Sequence, residues 1–281
     1  MKKFNSLIAL TLLLSLLFVG CQQQDDENAA LQDAPDQILV ALESQGFNVI
    51  DQPPIPYNDG FLVEGDIYLS NDQILNRNKK NGKGISISEK QYSTNNLVTT
   101  NGNRTITVFA REGGGLGFDT ATSEAIDLAI ERYNTENLEI TFERVSSQRN
   151  ADIVISRLNF FLELFGILGF AGFPTDNGDP FDEISLTGRL ASIGISTEGI
   201  ASIVAHELGH CIGFRHTDYF DRSISCGGDP VDEGAGDIGA NLIPGTPADA
   251  TLEAASWMLS CFDGSDRPFN EDDLTALDFL Y

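Results

Sequence analysis

Apolar residues recur at helical spacing in two stretches of the chain. In residues 36–50 (DQILVALESQGFNVI) they fall on one face of a predicted helix, which Gly46 is suited to end. A second predicted helix begins at Asp119 or Thr120, since either side chain can cap it. The apolar stripe of this helix consists of Ala125, Ile126, Ala129, Ile130 and Tyr133.

Short apolar or alternating runs on either side of the second helix predict β-strands. They lie at residues 61–69, 105–110, 138–145 and 151–156. The first run contains a predicted turn at Gly65-Asp66. Because helical and extended segments alternate after residue 101, we predict an α/β fold for the later part of the chain.

Residues 159–174 (NFFLELFGILGFAGFP) are strongly apolar. Glu163, several glycines and Pro174 argue against a membrane-spanning helix in this stretch. Two interpretations stay open. The stretch is either buried core or a hydrophobic rim beside a peptide-binding cleft.

The amino terminus has the order of an export signal. Lys2 and Lys3 precede an apolar run, which ends before Gly20 and Cys21. Residues 18–21 (FVGC) resemble a bacterial lipobox, in which the cysteine becomes the lipidated first residue. The pattern therefore predicts a signal peptide at 1–20 and a lipid on Cys21.

The residues after Cys21 predict where the protein is displayed. Residues 21–35 read as a polar tether, and the sequence QQQDDE at 22–27 resembles short acidic export signals of bacterial surface lipoproteins. We expect a protein that is lipid-anchored to a bacterial membrane, the outer one in particular, and exposed at the surface. The alternative is a secreted protein that is cut near Gly20.

Composition and charge narrow the classes of partner. The 281 residues include 42 Asp and Glu against 17 Lys and Arg, which gives a net charge of −25. A chain this acidic is repelled by polyanions, so we exclude nucleic acid as a partner.

Residues 71–104 are rich in Asn, Lys, Ser and Gly and predict a protease-accessible linker. The expected organisation is a pro-segment-like region with its linker at 36–100 and a catalytic domain at 101–281.

All three histidines fall within residues 206–216, which read HELGHCIGFRH. His206 and His210 are four residues apart, so on a helix they share one face and can bind a single Zn²⁺. Gly213 can adopt a positive φ angle, which lets the chain turn and bring His216 round as a third ligand. Three protein ligands and one open position are typical of a catalytic zinc.

Glu207 lies beside the first of these ligands. It is placed to hold and deprotonate the zinc-bound water, whose pKa zinc lowers to ~7. Glu207 can then pass the proton to the leaving amine. The implied reaction is amide hydrolysis without a covalent acyl-enzyme.

These residues carry a family resemblance. HELGHCIGFRH matches the metzincin signature HExxHxxGxxH in full, and SWMLS at 256–260 resembles the metzincin turn that places a methionine beneath the zinc. Over residues 36–281 the chain is similar to the bacterial dual-action HEIGH metallopeptidases, most densely from residue 200 onward. More distantly it resembles the astacins, through GFRHTDYFDR at 213–222 and the carboxy-terminal FNEDDLTALDFLY.

The resemblance implies a metzincin-like catalytic domain. This domain would have a mixed sheet of the five-stranded type, an active-site helix and a small irregular carboxy-terminal subdomain. Met258 would form an apolar floor under the ligands. Residues 184–195 are the candidate edge strand along which a peptide would bind. Asp218 is an alternative ligand that would replace or support His216.

The resemblance also implies latency. Astacin zymogens carry a Phe-x-Gly-Asp sequence whose aspartate occupies the open zinc position, and residues 63–66 (VEGD) resemble it. Asp66 would then act as a plug within a pro-segment. A protease cutting in the Lys-rich linker would unblock the zinc and free the catalytic unit from its anchor. The alternative is that Gly65-Asp66 is an ordinary turn.

Three cysteines remain once Cys21 is assigned to lipid. An exported location permits a disulfide, and we predict that Cys226 pairs with either Cys211 or Cys261.

Two acidic clusters are candidate Ca²⁺ sites, because hard oxygen ligands lie close together in each. The first consists of Asp263, Asp266, Asn270, Asp272 and Asp273, and the second of Asp229, Asp232, Glu233 and Asp237. The alternative for both is a solvated loop, with a helix cap in the first.

The function that these patterns predict is a surface or secreted zinc metalloendopeptidase that is made as a zymogen. Its partners would be a protein or peptide substrate, the membrane through its lipid, and an activating protease. One alternative is a non-catalytic surface binding lipoprotein that keeps the scaffold. The other is a zinc hydrolase that acts on a non-peptide amide.

Overall fold

A mixed β-sheet runs through the computed structural model, which describes residues 34–75, 91–246 and 255–281. Its strands are β1 Ile55–Tyr57, β2 Gly60–Val63, β3 Ile67–Ser70, β5 Arg104–Ala110, β6 Ile140–Val145, β7 Ile153–Arg157, β8 Gly169–Ala171 and β9 Glu183–Leu186. They lie in the order β1-β2-β3-β8-β9-β7-β5-β6. A second, two-stranded sheet pairs β4 (Tyr92–Ser93) with β10 (Asn241–Leu242).

The helices of the described residues are α1 Asp36–Ser44, α2 Asn71–Leu75, α3 Thr120–Thr135, α4 Phe160–Leu164, α5 Thr197–Ile212, α6 Ser223–Cys226 and α7 Glu271–Leu280. The Asp119 side chain caps α3 by accepting from Thr122 N, and the predicted apolar stripe of this helix is buried. In the part of the chain that the structure describes, no helix is long and apolar enough to cross a membrane. The predicted signal peptide, Cys21, most of the tether and residues 76–90 of the linker lie outside the described residues.

The α/β prediction is confirmed, and the sheet is larger than the five strands expected. Five strands, β5 to β9, come from the predicted catalytic domain. Within them β5 is parallel to β6 and β7, β7 is parallel to β9, and β8 is antiparallel to β9. Strands β1 to β3 come from the predicted pro-segment and continue the same sheet, because Ile67 in β3 pairs in parallel with Ala171 in β8.

The predicted edge strand at 184–195 is wrong. Strand β9 lies between β7 and β8, so it is an interior strand, and Ala191–Ile193 form a 3₁₀ turn. An alternating apolar pattern is the same in an interior strand and in an edge strand, so the pattern alone does not distinguish them. Among the five strands of the predicted catalytic domain, β8 is the outermost on this side, and its outer edge is paired with β3.

The apolar stretch at 159–174 is partly buried core and partly exposed surface. Its buried half includes Leu162, Ile167, Phe170 and Phe173. Its exposed half consists of Phe160, Phe161, Leu164 and Phe165, which are between 50% and 63% exposed. The exposed half forms an apolar surface around α4 of the kind that the rim interpretation requires.

The amino-terminal strands have a core of their own, which we call the amino-terminal cluster. It consists of Ala34, Ile38, Leu42, Phe47, Phe61, Val63, Ile67, Leu69, Ile74 and Phe173. All members except Phe173 precede residue 75. This cluster is separate from the large core that α3 and α5 form with the catalytic strands.

Residues 91–94, which the sequence places in the linker, pack against the later part of the chain. Thr94 N donates to Gly213 O at 2.8 Å, and Arg215 N donates to Tyr92 O at 2.8 Å. The side chain of Gln91 is buried and donates to Asp273 Oδ1 at 2.5 Å. The domain boundary at residue 100 stays a prediction, but the contacts of these residues are with the catalytic side.

Candidate metal centre

Helix α5 positions the first two histidines. Ser196 caps it by accepting from Gly199 N at 3.1 Å, and the helix is buried from Gly199 to Ile212. The helix ends at Gly213, whose φ of 109° lies in the left-handed region. A Cβ at this position would also lie 3.0 Å from the backbone oxygen of Asn96, which adds to the preference for glycine.

The turn at Gly213 brings the third histidine back to the first two. His216 Nε2 lies 3.2 Å from His210 Nε2 and 3.3 Å from His206 Nε2. Asp66 Oδ2 joins them, at 3.1 Å from His216 Nε2 and 3.5 Å from His206 Nε2. Within the described ranges this is the one group of three or more such ligand atoms that could hold a metal ion.

The opposite nitrogens of the three rings fix their tautomers. Each Nδ1 lies within hydrogen-bond distance of an oxygen that can only accept, so each Nδ1 carries the proton. The acceptors are Trp257 O for His206 at 2.8 Å, Phe214 O for His210 at 2.8 Å, and Glu233 Oε1 for His216 at 2.5 Å. Three Nε2 lone pairs therefore point at one another, which is unfavourable unless a cation lies between them.

The spacing of these atoms fits zinc. Ligand atoms about 2.0–2.1 Å from a tetrahedral zinc stand about 3.3 Å apart, close to the separations observed here. The site also attracts positive charge. Without a metal ion, and although burial opposes it, Asp66 and Glu233 raise the pKa of His216 to about 10, so a proton on Nε2 takes the place that a cation would occupy. Burial and the neighbouring His206 and His216 hold the pKa of His210 well below its usual value, so that ring stays a neutral ligand.

Asp66 is the fourth member of the group. Its loop is held against β8, because Ala171 N donates to Asp66 O at 3.1 Å. Burial would raise the pKa of Asp66, but His216 and His206 outweigh it and hold the pKa well below the usual value. An ionised carboxylate with three imidazoles makes four protein ligands, which fills a tetrahedral zinc site.

Glu207 lies beside this group without belonging to it. It is 2% exposed, and its Oε2 has no hydrogen-bond partner among the described residues. Burial, and then the negative charge of Asp66, raise the pKa of Glu207 well above its usual value. Strand β8 passes close by, since a Cβ at Gly169 would lie 2.9 Å from Glu207 Oε1. A buried carboxyl with an unused oxygen is suited to receive a proton.

Met258 lies in a buried turn that supports the histidines through its backbone. Trp257 O accepts from His206, and Met258 O accepts from Thr217 N at 2.8 Å, directly after His216. Met258 itself is fully buried. The sequence predicts Met258 as an apolar floor, and the backbone contacts on either side of it add a positioning role.

Three buried charged residues complete the centre. The sequence does not predict Arg222 or Glu64 in any role, and it predicts Glu233 only as a candidate Ca²⁺ ligand. Arg222 Nη1 lies 3.0 Å from Glu64 Oε2 and 3.3 Å from Glu233 Oε1. Against the effect of burial, His216, Arg222 and Arg215 lower the pKa of Glu233 to about 2. Glu233 therefore stays ionised and orients the His216 ring.

The other predicted site residues lie elsewhere. Asp218 does not face the metal group, because its carboxylate accepts from Ser260 and from Ser225. Cys226 is joined to Cys261, and Cys211 is a free, buried thiol.

Several candidate Ca²⁺ ligands have other partners. Asp266 pairs with Arg132 at 2.7 Å, Asp263 pairs with Arg267 at 3.0 Å, and Asp273 belongs to the capping box of α7. Both Ca²⁺ sites stay predictions.

We expect Glu233→Gln to weaken zinc binding by about 10- to 100-fold, because a ligand histidine loses the carboxylate that orients its ring. A competition titration against a chromophoric chelator measures the zinc dissociation constant. Asp229→Asn is the matched control, since Asp229 is an exposed carboxylate in the same loop region. Equal affinity in the native chain and Glu233→Gln would contradict the orienting role.

A helix that carries two histidines and a glutamate, with a third histidine returned to them by a turn, places the chain in the metallopeptidase class. The chain belongs to the dual-action HEIGH metallo-peptidase family, whose family model matches residues 61–281. The matched region includes Asp66 as well as the three histidines and Met258.

Two solved structures of myroilysin are similar to part of the chain. One is 20% identical over 43% of this chain, with a TM-score of 0.30, and the other is 18% identical over 41%, with a TM-score of 0.27. The matches span 54% and 45% of the myroilysin chains, which is about half their length. No curated protein matches the sequence.

Proposed function

We propose that the chain is an exported, zinc-dependent metalloendopeptidase of the metzincin type, and that it is made in a latent form. The observation that carries the proposal is the convergence of three Nε2 atoms, in which those of His206 and His210 lie within 3.3 Å of that of His216, beside a buried glutamate with an unused oxygen. Such a site has the metal ligands and the proton acceptor that metal-dependent peptide hydrolysis needs.

The chemistry divides between the ion and the chain. Zinc, when bound, acts as a Lewis acid and brings the pKa of a water towards ~7. Glu207 takes the proton from the attacking water and gives it to the departing amine nitrogen. Burial raises the pKa of Glu207, which makes its carboxylate a stronger proton acceptor for this role.

Latency is supported by contacts of the Glu64–Asp66 loop. Asp66 supplies a fourth ligand atom where a catalytic zinc keeps an open position. The buried ion pair of Glu64 with Arg222 and the hydrogen bond from Arg222 Nη1 to Glu64 O fasten the same loop to the catalytic side. Loss of this loop would open the fourth position.

The same segment covers the strand that a substrate would need. β8 pairs with β9 on one side and with β3 on the other. Without β3, the backbone of β8 becomes an edge beside Glu207, and an extended peptide can add to such an edge as a strand. We propose that β8, rather than residues 184–195, receives the substrate.

The proposed location follows from Cys21 alone. A lipid on that cysteine would hold the protein at a bacterial membrane, and a cut in the Lys-rich linker would break the covalent link between this lipid and the catalytic domain. Metabolic labelling with a fatty acid tests this step. Label in the native chain and none in Cys21→Ser is the expected result, and label in neither would leave a plain secreted protein.

Removal of the metal tests the activity. We expect one zinc per chain by elemental analysis, and hydrolysis of a denatured protein after proteolytic trimming. A chelator should abolish hydrolysis, and one equivalent of zinc should restore it. A chain that binds zinc but cleaves neither proteins nor a peptide library would instead be a surface binding protein. A chain with no zinc would overturn the proposal.

A further inference from the structure

A glutamine from the predicted linker lies inside the catalytic side of the molecule. Gln91 is 1% exposed, and the two residues after it pair with β10 as strand β4. A buried amide is costly unless its polar atoms have partners, so these partners indicate what holds the residue in place.

Both ends of the Gln91 amide are hydrogen-bonded. Nε2 donates to Asp273 Oδ1 at 2.5 Å and to Ser256 Oγ at 3.2 Å. Oε1 accepts from Thr217 Oγ1 at 3.4 Å, and this hydroxyl lies 2.8 Å from Ser256 Oγ. All three partners are buried. One side chain therefore joins three segments: the chain after His216, the turn at 256–260 and helix α7.

Two of these partners lead directly to metal ligands. Thr217 follows His216 in the chain, so its position restrains the backbone of that ligand. Asp273 Oδ2 accepts from Trp257 N at 3.2 Å, and Trp257 O in turn accepts from His206 Nδ1 at 2.8 Å. The glutamine is thus connected to the first and the third histidine without reaching the metal group itself.

We propose that Gln91 is a positioning residue for the metal ligands, and that the active form of the enzyme retains it. Its amide fixes the spacing between the two backbone segments that orient His206 and His216. A cut after Gln91 would leave this amide on the departing fragment and loosen both segments. The inference rests on the proposed function, to which it adds a condition: the activating cut precedes Gln91.

The direction of the Gln91 hydrogen bond supplies the test. Gln91→Met keeps the side-chain length and removes both polar ends. Asp273→Asn turns one accepting oxygen into a donor, which either opposes the Gln91 amide or withdraws the acceptor from Trp257 N. The double variant Gln91→Glu with Asp273→Asn exchanges the roles. Residue 91 then accepts and residue 273 donates, while the remaining oxygen of residue 273 still accepts from Trp257 N.

The first measurement is kcat and KM of the trimmed chains on a short peptide. The assay is run above pH 7, because burial raises the pKa of Asp273 to about 7 and the carboxylate must be ionised to accept. We expect each single substitution to lower kcat by about tenfold with little change in KM, and the double variant to return to within about threefold of the native value. Gln148→Met, at an exposed glutamine, should leave kcat unchanged.

The second measurement does not depend on catalysis. Co²⁺ loaded into the uncut chain in place of zinc has visible absorption bands that report the geometry of its ligands. Gln91→Met and Asp273→Asn should shift these bands, and the double variant should have the native bands. Thr107→Val is the control for loss of stability alone, because it removes a hydrogen bond to Asp152 at strand β5. Its bands should be native.

The amino terminus of the active form gives the third measurement. After limited digestion with a protease of broad specificity, active chains should begin at Gln91 or earlier. Active chains that begin after Gln91, or single variants with native kcat and native bands, overturn the inference while hydrolysis itself stands. Where a single variant does not fold, native bands in the double variant support the inference, and altered bands in a folded double variant overturn it. A native chain that binds no metal and hydrolyses nothing overturns the proposed function as well.

Discussion

Replacement of Glu207 by Gln is expected to lower kcat by about a thousand-fold while zinc remains bound. Glutamine keeps the volume of the side chain, and Glu207 is not among the ligand atoms that converge on the site. The amide cannot accept a proton from water at neutral pH. The variant therefore loses both the transfer from water to residue 207 and the transfer from residue 207 to the leaving amine. The expected loss is therefore in turnover and not in metal content.

The assay measures kcat on a cleaved peptide and zinc per chain for both proteins. Glu198→Gln is the matched control, since Glu198 is an exposed glutamate in the first turn of the same helix. An unchanged kcat in Glu207→Gln would assign the proton acceptor to another group. Loss of zinc together with activity would indicate that Glu207 maintains the structure of the site and does not transfer protons.

Asp66→Ala is expected to raise the activity of the uncut mature chain by roughly a hundred-fold. A contact of the Asp66 carboxylate worth ~3 kcal/mol would close the fourth zinc position in all but about one molecule in a hundred. Alanine removes the oxygen that lies 3.1 Å from His216 Nε2. Because β3 still covers β8 in this variant, the assay uses a short peptide that does not need to add to β8 as a strand.

The measurement is peptide hydrolysis before any proteolysis, with gel analysis to confirm that the chain stays intact. Asp51→Ala is the control, because Asp51 is an exposed carboxylate of the same amino-terminal region. Equal activity of uncut native and Asp66→Ala chains would show that the Gly65-Asp66 turn does not restrain catalysis. The trimmed forms of both chains should have the same kcat.

Local features of the site could be predicted from the sequence. His206 and His210 share one helix face because four residues make about one turn, and Gly213 ends that helix because its backbone must adopt a left-handed conformation. These inferences need only the periodicity of the helix and the geometry of a single residue. Apolar periodicity predicted α3 in the same way.

The residues that surround the histidines could not be predicted in this way. Glu233 reaches His216 from 17 positions along the chain, and Glu64 reaches Arg222 from 158. Such pairs form when the fold brings distant segments together, and no spacing rule records them. The choice of Cys261 as the partner of Cys226 depends on the same long-range approach.

The strands of the predicted pro-segment illustrate the same limit. The sequence predicts extended structure at 61–69, but the pairing of β3 with β8 depends on which edge is free in the folded sheet. The prediction of an edge strand at 184–195 is wrong for the converse reason, because an alternating pattern does not say whether both sides of a strand are paired.

The amino-terminal cluster has a consequence for how such a protein would be switched on. Its residues precede residue 75 apart from Phe173, and β3 is hydrogen-bonded into the sheet. A nick in the linker would therefore leave a two-piece complex, still held by apolar contacts and a buried ion pair. Departure of the severed fragment requires it to unfold from the sheet, so its rate would be set by the fragment's own unfolding and not by the protease. Because the proposed lipid would stay on the severed fragment, membrane release and the onset of catalysis would both wait for that departure and would coincide, some time after the cut.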